Sequence, residues 1–172
     1  VAEQALRDSE ARFRTMWETT NDATLIVDEA GIVRFANPAV RQMFGYEPGE
    51  LVGRDMATIQ PQDLKSAHLT GMRHYMETGQ RHVDWRGIET RALHRDGREF
   101  PVEIVFSEIP VDGKRGFVGF MRDISKRKEA DRELRRSQAL FSTVFAASPI
   151  PIVFSRLGDG RYFEANQACL DL

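Results

Sequence analysis

Apolar positions along the chain change their period twice. Over residues 2–17, Ala2, Leu6, Ser9, Phe13 and Met16 recur at alternating spacings of four and three, which is the seam of a coiled coil. A second such seam runs through Arg127, Ala130, Leu134, Ser137, Phe141 and Val144. Between them the period shortens to that of strands. Segments 24–28 and 32–36 flank Glu29-Ala30-Gly31 as a hairpin, and further strands are predicted near 86–94, 99–109 and 115–123. Asp96-Gly97 and Asp112-Gly113 supply the turns between the last three. Asn37-Pro38 predicts a short helix with Asn37 as its N-cap, and Gln60-Pro61-Gln62-Asp63 opens a longer helix that Gly79 ends. The order is two strands, three helices and three strands. Hairpin joints make neighbours antiparallel, so the expected class is α+β: a five-stranded antiparallel sheet with helices on one face, flanked by N-terminal and C-terminal coiled-coil helices.

The chain also repeats itself. Ser9-Glu10-Ala11-Arg12-Phe13-Arg14-Thr15-Met16-Trp17 is echoed by Ser137-Gln138-Ala139-Leu140-Phe141-Ser142-Thr143-Val144-Phe145, and Phe35-Ala36-Asn37 by Glu164-Ala165-Asn166. The second copy ends too soon to close a core of its own. The expected organisation is a helix over 1–20, a domain over 21–125, a helical connector over 126–147 and the incomplete start of a second domain over 148–172.

Composition narrows the function classes. With 172 residues, 41% hydrophobic and 29% charged, the chain has an ordinary globular balance. Its net charge of -2 offers no basic field for nucleic acid. No apolar run approaches the roughly 20 residues of a spanning helix, and the opening Val1-Ala2-Glu3-Gln4 does not read as a signal peptide. The expectation is a cytoplasmic location without direct membrane contact. Cys169 is the single cysteine, so neither an internal disulfide nor a multi-cysteine zinc site is available. The connector's Lys126, Arg127, Lys128, Arg132, Arg135 and Arg136 are interleaved with Glu129, Asp131 and Glu133, the pattern of a solvated coiled-coil flank.

Enzyme motifs are missing: no P-loop, no Gly-x-Ser-x-Gly, no His-Glu-x-x-His and no calcium loop. The informative residue is His68. On the helix predicted from 62 to 78 it continues the stripe Leu64, His68, Met72, Tyr75, with small Ala67 and Gly71 beside it. His74 lies off this stripe and His82 follows Gly79, which argues against a three-histidine metal site. Two readings of His68 stand: a hydrogen-bonded core histidine, or an axial ligand presented by a pocket-facing helix. Met56, Ile59, Ile104, Phe106, Phe117, Gly119 and Met121 are core positions first and pocket lining second. Trp85, alternating away from Arg86, is expected to take an outward or interface position.

From about residue 21 to 125 the chain resembles the PAS sensory domains. The marks are Ile32-Val33-Arg34-Phe35-Ala36-Asn37-Pro38-Ala39, Phe44-Gly45-Tyr46-Glu47-Pro48-Gly49-Glu50-Leu51-Val52-Gly53, Arg95-Asp96-Gly97-Arg98-Glu99-Phe100-Pro101-Val102-Glu103 and Gly119-Phe120-Met121-Arg122-Asp123-Ile124-Ser125. Within that family the segment is similar to the haem oxygen-sensor domains of nitrogen-fixation sensor kinases. The resemblance implies haem b as the best candidate for a cofactor whose identity the residues leave open. It places His68 as the axial ligand, and His74 and His82 near the propionates. Met72, Ile104, Phe106, Gly119 and Met121 would line the pocket. Ile88 stands where those sensors carry an arginine that steadies bound oxygen, and Arg86, two residues earlier, is expected to face the same way. Phe106 is bulkier than the aliphatic residue expected there. A flavin photoreceptor of the cysteine-adduct class is not matched, because its Asn-Cys-Arg motif is missing.

The resulting expectation is a non-catalytic sensory module, in the regulatory region of a histidine kinase or cyclic-di-GMP enzyme. It would hold a ligand and relay its state through Asp123 and Ile124 into the connector and on to an output domain in the same chain. The flanking helices would pair two copies. Two alternatives accompany it: a haem-based oxygen sensor, and a ligand-free dimerisation spacer whose core is filled.

Overall fold

The computed structural model describes residues 2–81 and 84–171. The chain divides into two compact units, residues 1–125 and 126–172. In the first, helix α1 (Ala2–Thr19) leads into β1 (Ala23–Asp28) and β2 (Val33–Ala36). The short helices α2 (Ala39–Phe44) and α3 (Pro48–Leu51) follow, then a 3-10 turn over Met56–Ile59 and the long helix α4 (Gln62–Thr78). Strands β3 (Arg86–Leu93), β4 (Glu99–Val111) and β5 (Lys114–Asp123) complete the sheet. Its order is β2-β1-β5-β4-β3, antiparallel throughout. This is the α+β class expected from the hairpin pattern. The β4–β5 turn shows the local reason. Val111 pairs with Lys114 across a two-residue loop whose Asp112 and Gly113 both take positive φ, 51° and 75°, the mirror-image turn that fits the sheet's twist.

The core lies between the sheet and the short helices. Val33, Val40, Phe44, Leu51 and Val102 are fully enclosed, and the Phe44 and Phe100 rings meet at 5.7 Å. Asn37 departs from its expected role. Its side chain does not cap α2, which starts behind Pro38 without a side-chain cap. Its Oδ1 instead accepts the Thr24 N–H at 2.8 Å, while Nδ2 donates to the carbonyls of Trp17 (3.3 Å) and Asp22 (3.0 Å). A fully buried amide thus ties the exit of α1 to the first hairpin.

The second unit contains most of α5 (Ser125–Ala147), the hairpin β6 (Val153–Ser155) and β7 (Tyr162–Ala165), and α6 (Gln167–Leu170). The sequence repeat is also a repeat of bonding. Asn166 Oδ1 accepts the Ile152 N–H at 2.9 Å, and its Nδ2 donates to the carbonyls of Ser148 and Ile150. Phe145 stacks on Phe141 and Phe154. Among the described residues no helix is long and apolar enough to cross a membrane.

Candidate functional site

Helix α4 lies over the sheet without a single buried residue. Its inner stripe of Leu64, His68, Met72 and Tyr75 faces a cavity of about 630 Å³, bounded opposite by β1, β3, β4 and β5. The apolar alternation of those strands supplies the far wall: Ile88, Ile104, Phe106, Phe117, Gly119 and Met121. Met56, Ile59 and Gln60 close one side. Gly119 is small for a steric reason, since a side chain there would meet the Phe106 ring at 3.1 Å. Ala67 and Gly71 also border the space.

Among the described residues, two buried polar atoms at this cavity have no hydrogen-bond partner, His68 Nε2 and Gln60 Oε1. Burial holds the His68 pKa below the ordinary histidine value, with the Asp55 carboxylate pulling the other way. Above its lowered pKa the imidazole is neutral, the form that ligates metal. Among the described residues, none bonds Nε2 as a hydrogen-bonded core histidine would require.

Of the site residues read from the sequence, the fold brings together His68, Met72, Ile88, Ile104, Phe106, Gly119 and Met121. His74 is half-buried and lies outside the lining. His82 falls outside the described residues. Arg86 is a correction. Gly87, at φ 82°, makes a bulge that sets Arg86 opposite Val105 and Ile88 opposite Ile104. Strand alternation is thereby broken, so Arg86 shares the exposed face with Val105 while Ile88 faces the cavity. Trp85 is the second correction. It turns inward, its ring 4.7 Å from Tyr75 and 5.9 Å from Phe117. A bulge at a glycine leaves little trace in a periodicity count, so period two puts both residues on the wrong side.

Lining residues that the sequence reading missed include Gln60, Arg91 and Arg81. Gln60 looks like a helix-entry residue and nothing more. Arg91 spans from β3 to Asp63 on α4 and to Glu99, the latter at 2.6 Å. Arg81 stacks on Trp85, 4.1 Å from its centroid. Cation–aromatic spacing was the one signal available for Arg81, and it depended on Trp85 facing inward.

At the end of β5 the fold builds a junction. Positions 117, 119 and 121 line the cavity. Two residues on, Asp123 Oδ1 accepts the Ser125 N–H at 2.7 Å, at the start of α5. Ile124 is buried and its N–H donates to the Pro101 carbonyl at 3.1 Å. The entry is adjacent, for Ala23 pairs with Met121 and Asp22 holds Arg122 through two bonds of 2.6 and 2.9 Å.

Comparisons with known proteins agree with this architecture. Solved PAS domains from Colwellia psychrerythraea (19% identity, TM-score 0.58, covering 67% of this chain and 97% of that one) and from an HTR-like protein of Haloarcula marismortui (22%, 0.57, covering 72% and 98%) share the fold. An uncharacterized protein of Azorhizobium caulinodans is 38% identical over 129 residues, 74% of this chain and 18% of that protein. Sensor protein FixL of Bradyrhizobium diazoefficiens is 28% identical over 137 residues (80% and 27%), and oxygen sensor protein DosP of Escherichia coli 29% over 113 residues (63% and 14%). The chain therefore spans less than a third of the length of these curated relatives. The sequence model of the PAS domain matches residues 21–126, more than half of the chain and the whole of the sheet just described, so this protein belongs to the PAS domain family.

Proposed function

We propose that residues 21–125 form a sensory domain that holds a small ligand between α4 and the sheet and relays its state through the Asp123–Ser125 junction into α5. The observation that carries this reading is the cavity. Close-packed interiors leave few voids larger than a water molecule, whereas about 630 Å³ sits within the roughly 300–1,000 Å³ typical of ligand sites. A spacer with a filled core has no use for such a volume. β5 supplies the route, carrying both cavity-lining residues and the capped exit to α5. The output domain, and with it a kinase or cyclic-di-GMP activity, belongs to this proposal and not to the domain itself.

One observation favours a sharper version with haem as the ligand: an unpartnered, buried imidazole nitrogen at an apolar cavity. Haem would supply an iron centre able to take up a gas. His68 would hold it from α4, while Ile88, Ile104 and Phe106 exclude water from the opposite wall. None of those three side chains offers a hydrogen-bond donor, and Arg86 faces away. Titrating hemin into the purified domain tests both versions. Wild type is expected to develop a Soret band that His68→Ala abolishes, and Asp123→Ala to leave the band unchanged, since it lies outside the cavity lining. A Soret band that survives in His68→Ala removes the axial role. No spectral change in wild type removes haem.

Pairing of two copies through the helices completes the proposal. Leu6, Phe13 and Met16 on α1 are 59%, 63% and 72% exposed, and Leu134 and Phe141 on α5 are 58% and 53%. Burying each Leu or Phe contributes roughly 1.5–3 kcal/mol. Leu134→Glu is expected to lower the sedimentation coefficient from a dimer's to a monomer's; an unchanged dimer places the interface elsewhere.

A further inference from the structure

The lining of the cavity is asymmetric in charge: it includes Arg81 and Arg91 but no aspartate or glutamate. Arg91 is already neutralised by Asp63 and Glu99. At the same end, the Tyr75 hydroxyl donates to Glu108 Oε2 at 2.6 Å, and Arg115 sits on Glu108 Oε1 at 3.3 Å, so that group is internally balanced. Arg81 differs. Its guanidinium carbon sits over Trp85, 4.1 Å from the ring centroid, and its side chain also bonds the Tyr75 hydroxyl, while among the described residues no carboxylate forms an ion pair with it. It is exposed, so its charge remains hydrated at the mouth of an apolar space. A guanidinium has five N–H donors, so the contacts with Trp85 and the Tyr75 hydroxyl leave further N–H groups for an acceptor, and a carboxylate suits that fork.

We propose that the cavity takes an amphipathic carboxylate, with its apolar body between α4 and the sheet and its carboxylate on Arg81. This rests on the reading of the cavity as a ligand site and adds the chemical class of the ligand. An aliphatic acid and a porphyrin both carry that chemistry. The aromatic cluster of Trp85, Tyr75 and Phe117 then acts as a platform that holds the arginine at the rim. A neutral apolar compound would fill the same space without using Arg81.

The test is competition against N-phenyl-1-naphthylamine, a neutral fluorescent probe, using the whole chain. The probe is expected to bind wild type and Arg81→Gln equally. Decanoate should displace it from wild type about tenfold more effectively than from Arg81→Gln, an effect of the size expected for a charge-assisted hydrogen bond. Decanol should not distinguish the two proteins, and Arg81→Lys should recover part of the loss. Hemin as a second carboxylate competitor separates the sources: the acid whose displacement falls in Arg81→Gln is the class the site takes. If Arg81→Gln weakens neither decanoate nor hemin while the probe still binds, the carboxylate assignment is wrong and the cavity reading survives. If the probe itself does not bind, both readings fall. Arg81 is on the surface, so the fold of its variants is checked directly by circular dichroism.

Discussion

Asn37→Ala is expected to destabilise the first unit by about 3 kcal/mol, lowering its thermal midpoint by roughly 10–20 °C. The residue is 0% exposed and makes three side-chain hydrogen bonds to backbone groups from three places: Thr24 at the start of β1, Trp17 in α1 and Asp22 between them. Truncation leaves a buried N–H without an acceptor and removes the donor from two carbonyls, and the desolvation of such groups outweighs the modest net value of a hydrogen bond. Asn37→Asp is expected to fare no better, because its second oxygen would face the two carbonyls that now accept from the amide. Thermal denaturation followed by circular dichroism measures both. A midpoint within two or three degrees of wild type would show that the joint between α1 and the sheet does not depend on this amide.

His68→Leu should move stability the opposite way. Replacing a half-buried imidazole whose Nε2 is buried and unpartnered with an apolar side chain of similar size removes a desolvation penalty, and is expected to stabilise the ligand-free chain by about 1–2 kcal/mol. The pH dependence gives an independent readout. Burial lowers the folded-state pKa of His68, so in acid the unfolded chain binds the proton first. Stability linked to this group is fully present above the unfolded value of about 6.5 and is lost as pH falls through the lowered folded-state pKa. The advantage of His68→Leu over wild type in urea unfolding should therefore be larger at pH 5 than at pH 8. A variant less stable than wild type at pH 8 would mean that Nε2 is satisfied in solution and that His68 is a core residue. Gaining stability while losing hemin binding is the trade expected of a residue kept for its ligand.

Much of this molecule follows from local pattern. The two flanking helices, the positions of five strands, the two Asp-Gly turns and the end of α4 at Gly79, with φ 69°, are written in short-range spacing, because turn chemistry and side-chain period act within a few residues. So is the stripe that puts His68 toward the sheet: a 3.6-residue period carries over 17 residues of helix without ambiguity. The repeat of Phe35-Ala36-Asn37 in Glu164-Ala165-Asn166 was also visible, although its meaning was not, since the partners of a buried amide lie 13 to 20 residues away.

What the tertiary structure alone decided concerns the face a residue takes and the space left behind it. The bulge at Gly87 reverses one step of β3, and that single step sends Arg86 outward and lets Ile88 line the cavity. Period-two reasoning has no means of detecting it, because a one-residue slip exchanges the two faces without altering composition. Trp85, Arg81 and Gln60 line one cavity from segments that share no sequence motif, and there is a space for them to line only because α4 stands off the sheet. A void depends on the distances between elements, and residue order sets those distances only through the packing of the whole domain.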